Sequence, residues 1–300
     1  MKTALKKYVN TLSIIYIIIG AALWGAMGLF VRNINASGFS SLDICFFRSI
    51  GTSLFLLLFL LIFNKNALKI KLRDLWVFLG TGLLSIVFFN YCYFTTITRT
   101  SLSVAAVLLY TSPAWVILMS SVVFKGKITF PKSIAVLMAI IGCVCVSGIA
   151  AGNYSALSLP DFLVGIGAGV GYALYSIFSR IALNKGYASM TITFYTFLIA
   201  AIGTTPFLST YNIPEKIISY PSCVLPIIGL VVIATLLPYI LYTTGLKNTT
   251  NSTAAVLACI EPVVATILGI LLYNERLSLS NIIGIALILG ASFVTSIKDK

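Results

Sequence analysis

Ten stretches of this chain are each long and apolar enough to cross a lipid bilayer, and only short connections separate them. They run Leu12 to Val31, Leu42 to Phe63, Leu75 to Thr96, Leu102 to Phe124, Ser133 to Ala150, Phe162 to Leu183, Met190 to Ser209, Leu225 to Leu246, Thr253 to Tyr273 and Ser280 to Ser296. Hydrocarbon about 30 Å thick needs roughly 20 apolar residues per helix. Charged residues make up 9% of the chain, against roughly 25% in soluble domains, which excludes a soluble fold. The reading is an all-α integral membrane protein with ten transmembrane helices. The longest connection, from about Thr210 to Val224, carries no motif, and nothing outside the bilayer is large enough for a catalytic or recognition domain.

The two halves of the chain resemble each other. Ala105-Ala106-Val107-Leu108-Leu109-Tyr110-Thr111-Ser112-Pro113 returns 149 positions later as Ala254-Ala255-Val256-Leu257-Ala258-Cys259-Ile260-Glu261-Pro262, and the same register carries Tyr93 onto Tyr242. At 148 positions, with one gap, the segment from Gly25 to Arg32 falls on that from Ala173 to Arg180, with Trp24 over Tyr172. The division is therefore residues 1–150 and 151–300, five spans each. Five is odd, so the second half enters the membrane upside down relative to the first. The fold expected is an inverted five-plus-five repeat around a central cavity.

The net charge of +13 raises the question of nucleic acid, but the placement of the charges answers it. With ten spans, Lys2, Lys6, Lys7, Lys65, Lys69, Lys71, Arg73, Lys125, Lys127, Lys132, Lys185, Lys247, Lys298 and Lys300 share one face, while Arg32, Arg99, Lys216 and Arg276 fall on the other. That bias fits the positive-inside rule and puts both termini in the cytoplasm of a cell whose plasma membrane holds the chain. The partners expected are the bilayer and a small solute, with no nucleic acid. Lys2, Lys6 and Lys7 before an apolar run also suit a signal peptide, but the segment from Trp24 to Arg32 has its counterpart in the sixth span and belongs to the fold.

Several chemistries are out of reach. The chain has no His, so a His-based triad is excluded, and Cys143-x-Cys145 would face different sides of a helix, so neither a metal site nor any cofactor is expected. Gly165, Gly167, Gly169 and Gly171 alternate within a span rather than following a strand, and fail the spacing of a nucleotide loop. Glycines four apart let helix backbones approach closely, and packing is the expected role.

Ionisable side chains inside spans cost at least about 2.5 to 3.5 kcal/mol at the bilayer centre, and the few present are the candidate functional residues. Glu261 is the deepest, near the middle of the ninth span and followed by Pro262, whose missing N–H leaves the Ala258 carbonyl unpaired. Ser112-Pro113 holds the matching place in the fourth span, so two helix breaks are expected, only one of them charged. Glu261 suits a cation or an exchangeable proton, or else braces the break. Arg48, about two turns into the second span, suits a substrate carboxylate, though it also has the options of snorkelling or pairing with Asp43. Arg180 and Arg32 are read as snorkelling at span ends. Trp24, Tyr93, Tyr110, Tyr172 and Tyr242 lie deep, mostly at repeat-related positions, and suit the wall of a binding cavity, with Asn90 adding a neutral donor and acceptor.

Ten spans in two halves, Trp24-Gly25, Arg48, Pro113, and Glu261-Pro262 followed by Asn274-Glu275-Arg276-Leu277-Ser278 resemble the EamA-type members of the drug/metabolite transporter superfamily over essentially the whole chain. The first half has Lys125-Gly126-Lys127 where the second has Asn274-Glu275-Arg276. The resemblance implies a basket of helices with the fifth and tenth spans at its edge, and alternating access. The leading function is secondary transport of a small polar metabolite, an amino acid or related amine moving outward with Glu261 as the proton-coupling residue. The alternatives are a carrier of cationic or quaternary amines, and a membrane scaffold or intramembrane enzyme.

Overall fold

The computed structural model describes residues 2–100, 102–146, 158–208, 213–273 and 278–298. These residues form ten apolar helices, eight long enough to cross a membrane and two, α5 and α10, shorter: α1 (Tyr8–Ala36), α2 (Ser41–Phe63), α3 (Leu72–Arg99), α4 (Val104–Phe124), α5 (Phe130–Cys145), α6 (Leu159–Asn184), α7 (Ser189–Phe207), α8 (Pro221–Leu246), α9 (Asn251–Leu272) and α10 (Leu279–Val294). Side chains set several helix starts. Ser40 accepts from the Asp43 N–H and Asp43 accepts from the Ser40 N–H, at 3.2 and 2.9 Å, closing the first turn of α2. Ser158 does the same service for Asp161 in α6, and Thr250 for Thr253 in α9. The division near residue 150 and the motif from Asn274 to Leu277 lie outside the described residues.

Repeat-related elements share their boundaries. The helical segment Leu102–Leu109 in α4 corresponds to Asn251–Ala258 in α9, both ends 149 positions on, and Leu72–Asp74 corresponds in the same way to Pro221–Cys223. The correspondence includes the irregular turns. Both α3 and α8 contain a widened, π-helical stretch, Gly80–Val87 and Val232–Leu236, and α4 and α9 break at Tyr110–Thr111 and at Cys259. Such departures inside a membrane are tolerated where the backbone is buried in protein or lines a cavity. A third break was not anticipated: α1 runs past Val31 to Ala36 and is interrupted at Ala26, whose N–H turns back to the Leu23 carbonyl.

The centre of the bundle is a cluster of Ile17, Trp24, Ile86, Tyr175, Phe197, Tyr239, Tyr242, Leu257 and Ala258, drawn from α1, α3, α6, α7, α8 and α9. Helices α5 and α10 contribute nothing to it. They pack on each other and on the inner segments of α4 and α9 through Ala139, Cys143, Val256, Cys259 and Ile288. The glycine run of α6 is indeed for packing. A methyl group on Gly165 would lie 2.2 Å from Leu108, and one on Gly169 would lie 2.9 Å from the Leu108 carbonyl, so α6 lies directly against the break in α4.

The two ends of the bundle are closed differently. At the end rich in lysine, Arg180 does not snorkel: its Nε donates to Asn251 Oδ1 at 2.8 Å, and its other nitrogens reach the Lys247 and Thr249 carbonyls. Asn251 in turn donates to the Ser176 carbonyl and hydroxyl at 2.8 and 2.9 Å, and Tyr175 bonds Thr243 at 2.8 Å. Nearby, Lys185 and Tyr187 donate to Asp74, and Tyr195 to the Leu68 carbonyl. At the opposite end, the places equivalent to Tyr175, Ser176, Thr243 and Asn251 hold Met27, Gly28, Phe94 and Leu102. Gly28 is exposed and has open space where a side chain would be. That end is covered instead by apolar packing of Ile34, Phe39 and Phe47 beneath the short helix Ile213–Ser219, which occupies the connection the sequence left featureless. Lys216 from this helix donates to the Gly38 carbonyl at 2.7 Å.

Asn251→Leu, which copies the first half's Leu102, is expected to loosen the lysine-rich end. Losing a buried hydrogen-bonding partner costs about 1 to 3 kcal/mol, so amide hydrogen exchange across residues 245–253 should quicken by about fivefold to a hundredfold. Unchanged exchange there would mean that Asn251 does not hold this end shut.

Candidate substrate site

The central cavity lies between Trp24, Ser85, Ile86, Phe89, Tyr172, Tyr175, Tyr239 and Tyr242. It is narrow, a cavity of about 10 Å³ with room for about one water. The rings therefore nearly close on one another, and a solute would have to part them. Trp24 is the hub. Its ring centroid lies 5.0 Å from Tyr239, 5.4 Å from Tyr242 and 6.2 Å from Tyr172, mostly edge to face, the arrangement aromatic quadrupoles favour.

Glu261 is reached through Tyr172, whose hydroxyl donates to Oε2 at 3.3 Å. Tyr110, at the repeat-related break, and Tyr93 are the other hydroxyls near this carboxylate. Tyr93 stacks on Phe89 at 5.6 Å, and Phe89 in turn meets Tyr172 at 5.8 Å. Glu261 is half-buried at mid-span. The breaks place it there. The helices resume at Ser112 and Ile260, so Pro113 and Pro262 stand in the first turn of the resumed segments, where a missing N–H is tolerated, and that turn of α9 carries Glu261. The neighbouring α1 passes so close that a methyl on Gly25 would lie 2.6 Å from the Glu261 carbonyl. Only glycine fits, which gives the Trp24-Gly25 pair a physical reason: the ring faces the cavity while the next residue lets the backbones touch.

Arg48 is on the other side of Trp24. It is 5% exposed, its guanidinium lies 5.9 Å from the Tyr239 ring and 6.0 Å from Phe197, and NH1 points to the Met27 thioether. It neither snorkels nor pairs with Asp43, whose carboxylate caps α2.

The structure brings Trp24, Tyr172 and Tyr242 together on the cavity wall, with Glu261, Tyr93 and Tyr110 at one side and Arg48 at the other. Asn90 is not among the residues lining the cavity: it is buried, and its amide donates at 2.6 Å to the carbonyl of Ile86, in the π-helical stretch of α3. Tyr175 and Tyr239, which had not been singled out as deep, are central. The signal was available, since Tyr239 is the repeat counterpart of Asn90 and Tyr175 follows Tyr172 by one turn. Leu109 and Ala258, the residues ending each broken half, are both 4% exposed and packed.

A profile of the EamA-like transporter family matches residues 11–148 and again residues 160–297. The chain belongs to the EamA-like transporter family. Two matches to one profile account for almost the whole transporter. It is 29% identical over 283 residues to an uncharacterized transporter of Archaeoglobus fulgidus, covering 93% of this chain and 94% of that one. It is 26% identical to the uncharacterized transporter YwfM of Bacillus subtilis, over 95% and 94% of the two chains. A crystal structure with 19% identity superposes with a TM-score of 0.74 over 98% of this chain and 97% of its own, a likeness of fold.

Proposed function

We propose that this transporter carries an amino acid or a related amine outward by alternating access, with Glu261 exchanging a proton for the ammonium group. The observation that supports the reading is the Tyr172–Glu261 contact, a carboxylate at mid-membrane beside an aromatic cavity and a broken helix. A carboxylate in that place attracts an ammonium group, and the flanking rings hold cations through their faces. The lysine-rich end, with both termini, is assigned to the cytoplasm by the positive-inside rule. No nucleotide-hydrolysing motif was found in the sequence, so a solute or proton gradient is the driving force proposed.

The rings of Trp24, Tyr172, Tyr239 and Tyr242 favour one alternative, a carrier of quaternary amines in which they form the cage. Sealed vesicles bearing the purified protein, loaded with labelled amino acids, primary amines or choline, separate these. Counterflow of amino acids or primary amines is the expected result. Counterflow of choline alone would favour the alternative, and none with any solute would sink both.

A further inference from the structure

Three polar groups around the central cavity are buried and lack a hydrogen-bond partner: the indole Nε1 of Trp24, the guanidinium Nε of Arg48 and the hydroxyl of Ser85. Their residues are 5%, 5% and 1% exposed. Leaving a buried donor unpaired is costly, more so when it is charged, and natural proteins rarely do it without a use. These three are not scattered. Trp24 and Ser85 line the cavity together with Tyr239, and the Arg48 guanidinium lies against that same Tyr239 ring. The hydroxyl of Thr235, one turn before Tyr239 on α8, is unpartnered as well.

Indole and guanidinium nitrogens can only donate, and Arg48 adds a full positive charge paired with no carboxylate among the described residues. Glu261 is reached through Tyr172, across the Trp24 ring from Tyr239. A set of unused donors around a buried cation calls for an anion with several acceptor lone pairs, and a carboxylate meets Arg in a two-bond fork.

We propose that Arg48, Trp24 and Ser85 form a carboxylate-binding subsite on the Tyr239 side of the cavity, and that this subsite selects substrates that carry a carboxylate. The inference rests on the transporter reading and narrows it. A free amine would leave the Trp24 and Arg48 donors unsatisfied, whereas the carboxylate of an amino acid or a simple carboxylic acid accepts from them. Such a subsite discriminates strongly against analogues lacking the acceptor, because discrimination then comes from polar groups left unpaired.

The test uses purified protein in detergent, thermal stability as readout, matched sodium chloride controls, and four probes that share the leucine side chain: leucine, 4-methylpentanoate, leucinamide and 3-methylbutylamine. Leucine and 4-methylpentanoate are expected to stabilise the protein saturably. Arg48→Gln should weaken that effect by about ten- to a hundredfold in concentration, and Trp24→Phe, which keeps a ring and loses the N–H, by about two- to tenfold. Leucinamide and 3-methylbutylamine should stabilise more weakly than leucine, and Arg48→Gln should leave their effect unchanged. Absence of stabilisation by either carboxylate, or equal stabilisation of wild type and both variants, would overturn the proposal. If Arg48→Gln does not fold, Trp24→Phe decides alone. The vesicle assay keeps the two readings apart. Counterflow of leucinamide or 3-methylbutylamine without carboxylate binding removes this subsite and leaves the transporter. Carboxylate binding that depends on Arg48, without counterflow of any solute, does the reverse.

Discussion

Glu261→Gln is expected to abolish accumulation of solute driven by a pH gradient while leaving the protein inserted and folded. Gln keeps the size of the side chain and an oxygen that can accept from the Tyr172 hydroxyl, so the local geometry at the α9 break is retained. What it loses is the ability to ionise. One unit of pH difference corresponds to about 1.4 kcal/mol, so a one-for-one exchange sustains about tenfold accumulation. In vesicles with an imposed gradient, the Gln variant should fall to no accumulation. Counterflow of unlabelled against labelled solute, which needs no gradient, should persist at a reduced rate. A Gln variant that still concentrated solute against the gradient would return Glu261 to the role of a brace for the helix break.

The second large effect belongs to Gly25. A methyl there would lie 2.6 Å from the Glu261 carbonyl and 2.8 Å from the Val264 side chain, and neither neighbour is the loose end of a flexible chain. Gly25→Ala must push α1 away from α9. Overpacking of this kind costs about 1 to 3 kcal/mol, and Gly25→Val should exceed that range. The loss of transport should be greater than the loss of stability suggests, since the same displacement moves Trp24 away from Tyr172 and Glu261. Gly28→Ala, three residues on where nothing lies within 4 Å, is the matched control and should leave thermal stability unchanged. Equal behaviour of the two alanine variants would show that α1 and α9 do not meet as closely as described.

Much of the architecture can be read from one number. The 149-residue offset found from Ala105 to Pro113 also governs the ends of helices, the paired π-helical stretches and the paired breaks, because a duplicated sequence repeats its glycines, prolines and apolar runs together. Trp24 over Tyr172 was likewise readable, and the two rings meet. What an apolar window hides is rotation about the helix axis. In a membrane both faces of a span are apolar, so no hydrophobic face announces the interior. Tyr239 and Tyr175 look no deeper in sequence than Tyr91, yet they are 5% exposed and Tyr91 is 57% exposed. Asn90 is placed by a different feature. Its amide is bonded to the Ile86 carbonyl in the π-helical stretch Gly80–Val87, and such a stretch has no signature in the sequence. Arg180 resembled a snorkelling end residue because its partners are mainly backbone carbonyls of residues 247–249, reached only once α6 and α8 are packed.

The unequal closure of the two ends bears on timing and population. In a carrier whose halves exchange shapes, identical halves would make the two facing states equal in free energy and equally occupied. Here Tyr175, Ser176, Thr243 and Asn251, which tie the lysine-rich end, fall by the repeat on Met27, Gly28, Phe94 and Leu102, which carry no hydroxyl or amide side chain, while the Arg180 position is kept as Arg32. At roughly 1 kcal/mol net per hydrogen bond, three such ties favour closure of the lysine-rich end by about 3 kcal/mol, against which the apolar cover of the other end has to be weighed. On the alternating-access reading proposed above, the unloaded carrier is expected to wait more in one facing state, with the turn that breaks those ties as the slow step of its cycle. Solute bound at the centre shortens that wait only by as much as it binds the rarer state more tightly.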